Sequence, residues 1–171
     1  MIYITKYLSP LGGMTMASDG THLTGLWFDG QKYFPARLAG EEKGLPLFGQ
    51  VRTWLDGYFR GENPPVRFGV RAEGSLFRRA VWELLRAIPY GTTMTYGQLA
   101  RALEERTGRR CAAQAVGGAV GHNPVSVIIP CHRVVGTNGS LTGYAGGIGK
   151  KYALLQLEGA DMTKLHLPAA R

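Results

Sequence analysis

The apolar residues of this chain change their spacing partway along, and no single layer of secondary structure satisfies both spacings. In the first thirty residues, β-favouring side chains cluster between glycine-rich turns as IYITKYL, GGMTMAS and HLTGLWF, closed by Asp29-Gly30. That pattern predicts a small antiparallel meander. After the loop LAGEEKGLP, Phe48, Val51, Leu55 and Tyr58 recur at helical spacing until Gly61 and Pro64-Pro65 stop the pattern. The expected architecture is α+β: a small α+β N-terminal domain over residues 1–72, followed by a mostly helical domain over residues 73–171.

The second block opens with Ser75 as N-cap, and Phe77, Val81, Leu84, Leu85 and Ile88 make one apolar face that Pro89 ends. In TYGQLARALEERTG, Thr95 and Gln98 fit a capping box, and Gly108 marks the stop. A short turn leads to RRCAAQAVGGAVG, so two short helices follow one another, the second opening on two arginines. This is a helix-turn-helix arrangement. Ala112, Ala113, Ala115, Gly117, Gly118 and Ala119 leave the second helix almost without side-chain bulk. Its backbone can approach another surface closely, either a neighbouring strand or a nucleic acid groove. Near the C-terminus, GKKYALLQLEG predicts a packed amphipathic helix led by Lys150 and Lys151, with Leu154, Leu155 and Leu157 on its apolar side.

Composition narrows the class. At 171 residues the chain is long enough for a real hydrophobic core. Its formal charge is +8, carried unevenly: residues 1–72 hold 8 basic and 6 acidic side chains, and residues 73–171 hold 12 and 6. Any polyanion partner is expected on the C-terminal half. No apolar run approaches the ~18 residues of a membrane span, and MIYITKYLSP lacks the pattern of a signal peptide. With only Cys111 and Cys131, a reducing cytoplasmic setting is expected.

Cys131 lies in VIIPCHRVVG with His132 beside it. Three readings stand. As a nucleophile the thiol needs a base, and adjacent side chains on an extended segment point apart, so Pro130 must bend the chain there. A base needs an orienting group, and Glu158, in an otherwise apolar helix, is the best candidate. As a metal ligand Cys131 has poor company, because His22, His122, His132 and His166 show no paired ligand spacing. As a packed, inert thiol it would be ordinary. Neither the papain nor the caspase signature surrounds it, which argues against a cysteine hydrolase.

The stretch AVGGAVGHNPVSVIIPCHRVVGTNGSLTGYAGG resembles the active-site region of the O6-alkylguanine-DNA alkyltransferases, the methylated-DNA-protein-cysteine methyltransferases. The PCHR core stands downstream of an HNP asparagine and upstream of GYAGG, in the family's order. The similarity runs from about Phe77 to Gly159, through YGTTMTYGQLA and LLQLEG. The first domain resembles the family more loosely, as a small antiparallel sheet with an RNase H-like layout.

The resemblance implies DNA repair by direct, irreversible transfer of an alkyl group from O6-alkylguanine to Cys131, one turnover per molecule. O4-alkylthymine presents a similar alkyl-oxygen bond. His132 matches the histidine that deprotonates the cysteine through water, Glu158 the carboxylate that orients it, Tyr96 the tyrosine that protonates the departing guanine, and Asn123 the hinge asparagine. Tyr144 and Ala145 fall where the family lines the base pocket, and Lys151 borders it. Arg133 reads as a structural ion-pair partner. The implied partner is double-stranded DNA entered through the minor groove, contacted by Arg109, Arg110, Ala112, Ala113 and Gln114, with Thr137 at a phosphate. Gln114 stands where better-known members carry a wedge arginine, which predicts binding that is weaker, or more dependent on Arg109, Arg110 and backbone contacts. Cys111 reads as incidental. No metal and no cofactor are expected, and the protein is expected to be a monomer. The main rival is a non-catalytic, lesion-sensing alkyltransferase-like protein, in which the nucleophile is replaced; here it is retained.

Overall fold

The computed structural model describes residues 1–168. They form two compact units, Met1–Glu73 with Pro124–Ile128, and Gly74–Asn123 with Ile129 onward. The five residues 124–128, which the sequence puts in the second domain, thus belong to the first unit.

In the first unit, strands β1 (Tyr3–Ser9), β2 (Gly12–Ser18) and β3 (Leu23–Phe28) form the expected antiparallel meander. A short strand β4 (Glu41–Glu42) pairs parallel with β1, giving the order β3-β2-β1-β4. The other edge is extended by residues 124–128: Leu26 N–H donates to Pro124 O at 2.9 Å, and Ser126 N–H donates to Leu26 O at 2.8 Å. No local pattern could announce that pairing, because it joins positions about a hundred residues apart. Tyr7, Met14, Met16, Leu26 and Phe28 share one face through the strand register and are buried. Helix α1 (Pro46–Phe59) buries the predicted Phe48, Val51, Leu55 and Tyr58, together with Leu47 and Trp54. Tyr7 Oη donates to Asp56 Oδ1 at 2.7 Å, and Arg52 donates to Thr5 Oγ1 at 2.9 Å, fixing α1 against β1.

In the second unit, α2 (Leu76–Arg86) starts where Ser75 Oγ accepts the Arg78 N–H. A two-residue strand β5 (Met94–Thr95) precedes α3 (Tyr96–Thr107), which opens with the full Thr95–Gln98 capping box and ends on Gly108 in the left-handed conformation. Helix α4 spans Ala113–Gly121. Arg109 and Arg110 therefore lie in the turn before it, not in its first turn as the sequence suggested. The cause is local: Gly108 ends α3, and Cys111 N–H is drawn back to Glu104 Oε1 at 3.0 Å, so the chain turns before it can re-enter a helix. Helices α2, α3 and α4 pack against one another. The lack of bulk on α4 has a visible use, since Trp82 Nε1 of α2 donates directly to the Ala119 carbonyl at 2.8 Å. A strand β6 (Val134–Val135) pairs with β5, and α5 (Ile148–Leu157) follows. Lys150 and Lys151 lie in the first turn of α5, and Lys151 is fully buried. No helix among the described residues is long and apolar enough to cross a membrane.

Candidate active site

Pro130 makes the bend that a Cys131-His132 pair requires. Its φ of −83° and ψ of 64° let Cys131 N–H donate to Ile129 O at 2.8 Å, which is an inverse γ-turn. A 3-10 turn, Cys131–Arg133, follows at once. With about three residues per turn, its three side chains leave in three directions, and all three are buried. Asn123, just past the end of α4, donates Nδ2–H to Ile129 O at 2.7 Å and hydrogen-bonds the Cys131 thiol. It therefore braces the γ-turn and touches the sulfur.

The other wall comes from α5 and its C-cap residue, Glu158. His132 Nε2 lies 2.6 Å from Glu158 Oε2, with both side chains at 0% exposure. Arg133 Nε donates to Glu158 Oε1 at 2.8 Å and one terminal nitrogen donates to Oε2 at 3.2 Å. Gly91 N–H also donates to Oε1, at 3.3 Å. The second terminal nitrogen of Arg133 donates to Ile88 O at 2.6 Å, and the Tyr90 ring lies 5.7 Å from the guanidinium. Burial pushes the His132 pKa down, against the pull of the Glu158 hydrogen bond and charge. Burial thus favours the neutral imidazole, and its Nδ1 is buried without a hydrogen-bond partner.

Burial also pushes the Cys131 thiol up, while the Asn123 hydrogen bond, the Lys151 charge and the backbone N–H groups of Cys131 and His132 act the other way. Lys151 Nζ donates to the carbonyls of Val134 and Thr142. Desolvation lowers it to about 8. The Tyr96 ring lies 5.9 Å from that ammonium, and its hydroxyl donates to Thr142 O at 3.3 Å. Burial first, and then Cys131, push the Tyr96 phenol up to about 12. Gly143, at φ +79°, leaves room for it: a Cβ there would sit 2.9 Å from the hydroxyl. Tyr144 is buried, edge-on to His132 with ring centroids 6.5 Å apart, and Ala145 is half-buried next to it.

The residues expected to meet DNA lie apart from this cluster in kind. Arg109, Arg110, Ala112, Ala113, Gln114 and Thr137 are all exposed. The N-cap residue of α4 is Ala112, whose side chain offers no acceptor to the N–H groups of the first turn. Among the described residues, no group of three or more His, Cys, Asp or Glu is arranged to hold a metal.

The chain that carries this buried cysteine and its histidine-glutamate pair matches known proteins along most of its length. The family model for the 6-O-methylguanine DNA methyltransferase DNA-binding domain matches residues 76–160, and that for the ribonuclease-like domain of the same family matches residues 2–72. The chain belongs to this family. It is 43% identical over 162 residues to a methylated-DNA--protein-cysteine methyltransferase of Haemophilus influenzae, covering 92% of this chain and 86% of that one. It superposes on the crystal structure of the Mycobacterium tuberculosis O6-methylguanine methyltransferase with a TM-score of 0.81 at 41% identity, covering 95% and 98% of the two chains. A crystal structure of the Mycobacterium tuberculosis OGT in complex with DNA matches with a TM-score of 0.82 at 38% identity, covering 95% and 94%.

For a methyltransferase of this family, sequence reading undervalued two side chains. Lys151 was expected only at the border of the site, yet it is fully buried behind it. The signal was present, because Lys151 precedes Leu154 and Leu155 by three and four residues and so shares their apolar face. Arg133 was expected as an ion-pair partner, but nothing in the sequence indicated that its partner would be the carboxylate that also holds His132.

Proposed function

We propose that this protein repairs duplex DNA by moving the alkyl group of an O6-alkylguanine onto Cys131, once per molecule and irreversibly. The observation that carries the reading is a buried thiol next to a buried His132 whose Nε2 lies 2.6 Å from Glu158 and whose Nδ1 is left without a partner. The thiol proton passes to Nδ1 through a water, and the Asn123 hydrogen bond and the Lys151 charge stabilise the thiolate. Sulfur attacks the alkyl carbon as the carbon-O6 bond breaks, and the electron pair leaves with the guanine. Tyr96 supplies a proton to that base, and the nearby Lys151 ammonium offsets the phenolate left behind. No tetrahedral intermediate forms, so no oxyanion hole is needed. The product is a thioether with no route back to the thiol, which accounts for a single turnover.

Residues 73–171 act as the DNA-binding and alkyl-acceptor domain on this reading, and residues 1–72 as a separate N-terminal domain. The lesion base leaves the stack at a cost of a few kcal/mol and enters a pocket lined by Tyr144 and Ala145. Helix α4 suits the minor groove, only about 6 Å wide, because Ala112 and Ala113 add no bulk, and its uncapped N-terminal N–H groups suit a phosphate. Arg109, Arg110 and Thr137 supply further backbone contacts, and Gln114 fills the gap left by the base. The protein works as a monomer, without metal or cofactor, in the cytoplasm; its two free thiols fit a reducing compartment. The test is stoichiometry: incubation with a duplex containing one O6-methylguanine should restore guanine in amounts equal to the protein added and no more. Tight lesion binding without restoration would make the protein a sensor, and repeated turnover would make it a different enzyme.

A further inference from the structure

We propose that Arg133 is a positioning residue: by sharing the carboxylate of Glu158 with His132, it fixes the imidazole as the neutral tautomer with its proton on Nε2 and its lone pair on Nδ1. Three N–H groups donate to the two oxygens of Glu158, two from Arg133 and one from Gly91, and His132 Nε2 lies 2.6 Å from Oε2. An ionised carboxylate is an acceptor only, with about four acceptor positions, and three of these contacts require it to accept. Glu158 also caps the C-terminus of α5, where the helix dipole disfavours negative charge. A permanently charged guanidinium bound through two nitrogens offsets that cost and keeps Glu158 ionised. The nitrogen 2.6 Å from Oε2 must then be the donor, which leaves Nδ1 unprotonated.

The guanidinium has a second effect. An unshared carboxylate next to an imidazole raises its basicity, and protonation at neutral pH would occupy the nitrogen that must take the thiol proton. Arg133 cancels most of that charge locally. Its influence on His132 opposes that of Glu158, and Lys151 adds to it from α5. The other polar side chains around the cluster are the Cys131 thiol on the same turn, Asn123 against that thiol, Tyr90 over the guanidinium, Tyr96 by Lys151 and Tyr144 edge-on to the imidazole. None of these carries a permanent charge. Arg133 also has a purely architectural contact, its bond to Ile88 O beyond the end of α2, so lost stability on substitution would not identify its role.

The discriminating readout is the protonation of His132. In wild-type protein with 15N-labelled histidine, NMR at pH 7 should show His132 protonated on Nε2 alone. Arg133→Met should raise the His132 titration midpoint by about one pH unit or more, and the acid limb of the methyl-transfer rate should move with it. Arg133→Lys should recover most of the midpoint, having kept the charge. A folded Arg133→Met with lowered thermal stability but an unchanged tautomer and midpoint would assign Arg133 an architectural role only. A wild-type His132 protonated on Nδ1, or doubly protonated at pH 7, would overturn the proposal even where Arg133→Met does not fold. Cys131 as acceptor is the reading on which the catalytic meaning rests, but the NMR measurement needs no DNA. A wild type with the Nε2–H tautomer that transfers no methyl would sink that reading and leave the Arg133 assignment intact.

Discussion

At the scale of single residues, the site sets a raised thiol against a lowered ammonium. Burial penalises the thiolate of Cys131 and the ammonium of Lys151 alike, and each ion relieves the other. Burial outweighs that relief in each case, so the charged Lys151 makes the thiolate less costly to form without making it the resting state. Lys151→Met keeps most of the buried length and removes the charge, so methyl transfer at neutral pH should slow by at least tenfold while lesion binding changes less. Its effect on stability has a definite sign. Lys151 titrates near 8 in the fold and near 10.4 in an unfolded chain, so between those values the unfolded state holds the extra proton and stability rises with pH. Urea denaturation should show wild type gaining on Lys151→Met from pH 8 to 10, by at most about 1.4 kcal/mol per pH unit. A difference that stays flat across that window would contradict the burial argument.

At the scale of elements, the helical domain depends on α4 being thin. Ala119 is buried and its carbonyl accepts the Trp82 indole N–H, so Ala119→Leu should separate α2 from α4. The expected cost is about 1–3 kcal/mol, read from chemical denaturation midpoints, and transfer activity should fall as Asn123, at the end of α4, shifts from the thiol. Element ends were legible where the chemistry is local: Ser75, the Thr95–Gln98 box and Gly108 all act as their residue types predict. Strands β5 and β6 were not legible, because two residues carry no periodicity and their pairing is non-local. The start of α4 was misplaced for a related reason. Arginines are good helix formers, and nothing in their own identity reports the Cys111-Glu104 bond that turns the chain. Within the site, the bend at Pro130 and the choice of Glu158 followed from the sequence. The burial of Lys151 and the sharing of Glu158 by Arg133 depend on how α5 meets the PCHR turn.

At the scale of the whole molecule, the formal charge of +8 is concentrated on residues 73–171, the part that carries α4 and the cysteine. Long-range attraction to DNA comes from that charge, and the exposed neutral Gln114 adds nothing to it. Gln114→Arg should tighten duplex binding and steepen the dependence of log affinity on log salt by about one unit. An unchanged slope with unchanged repair rate would remove Gln114 from the interface. The central claim concerns the sulfur of Cys131, and Cys111 is the internal control, half-buried where Cys131 is buried. The direct measurement is peptide mass mapping after reaction with an O6-methylguanine duplex, with Cys131→Ala beside it. The account predicts one methyl group on the peptide containing Cys131, none on Cys111 and none anywhere in the variant. Methyl on Cys111, or methylation that survives Cys131→Ala, would contradict it.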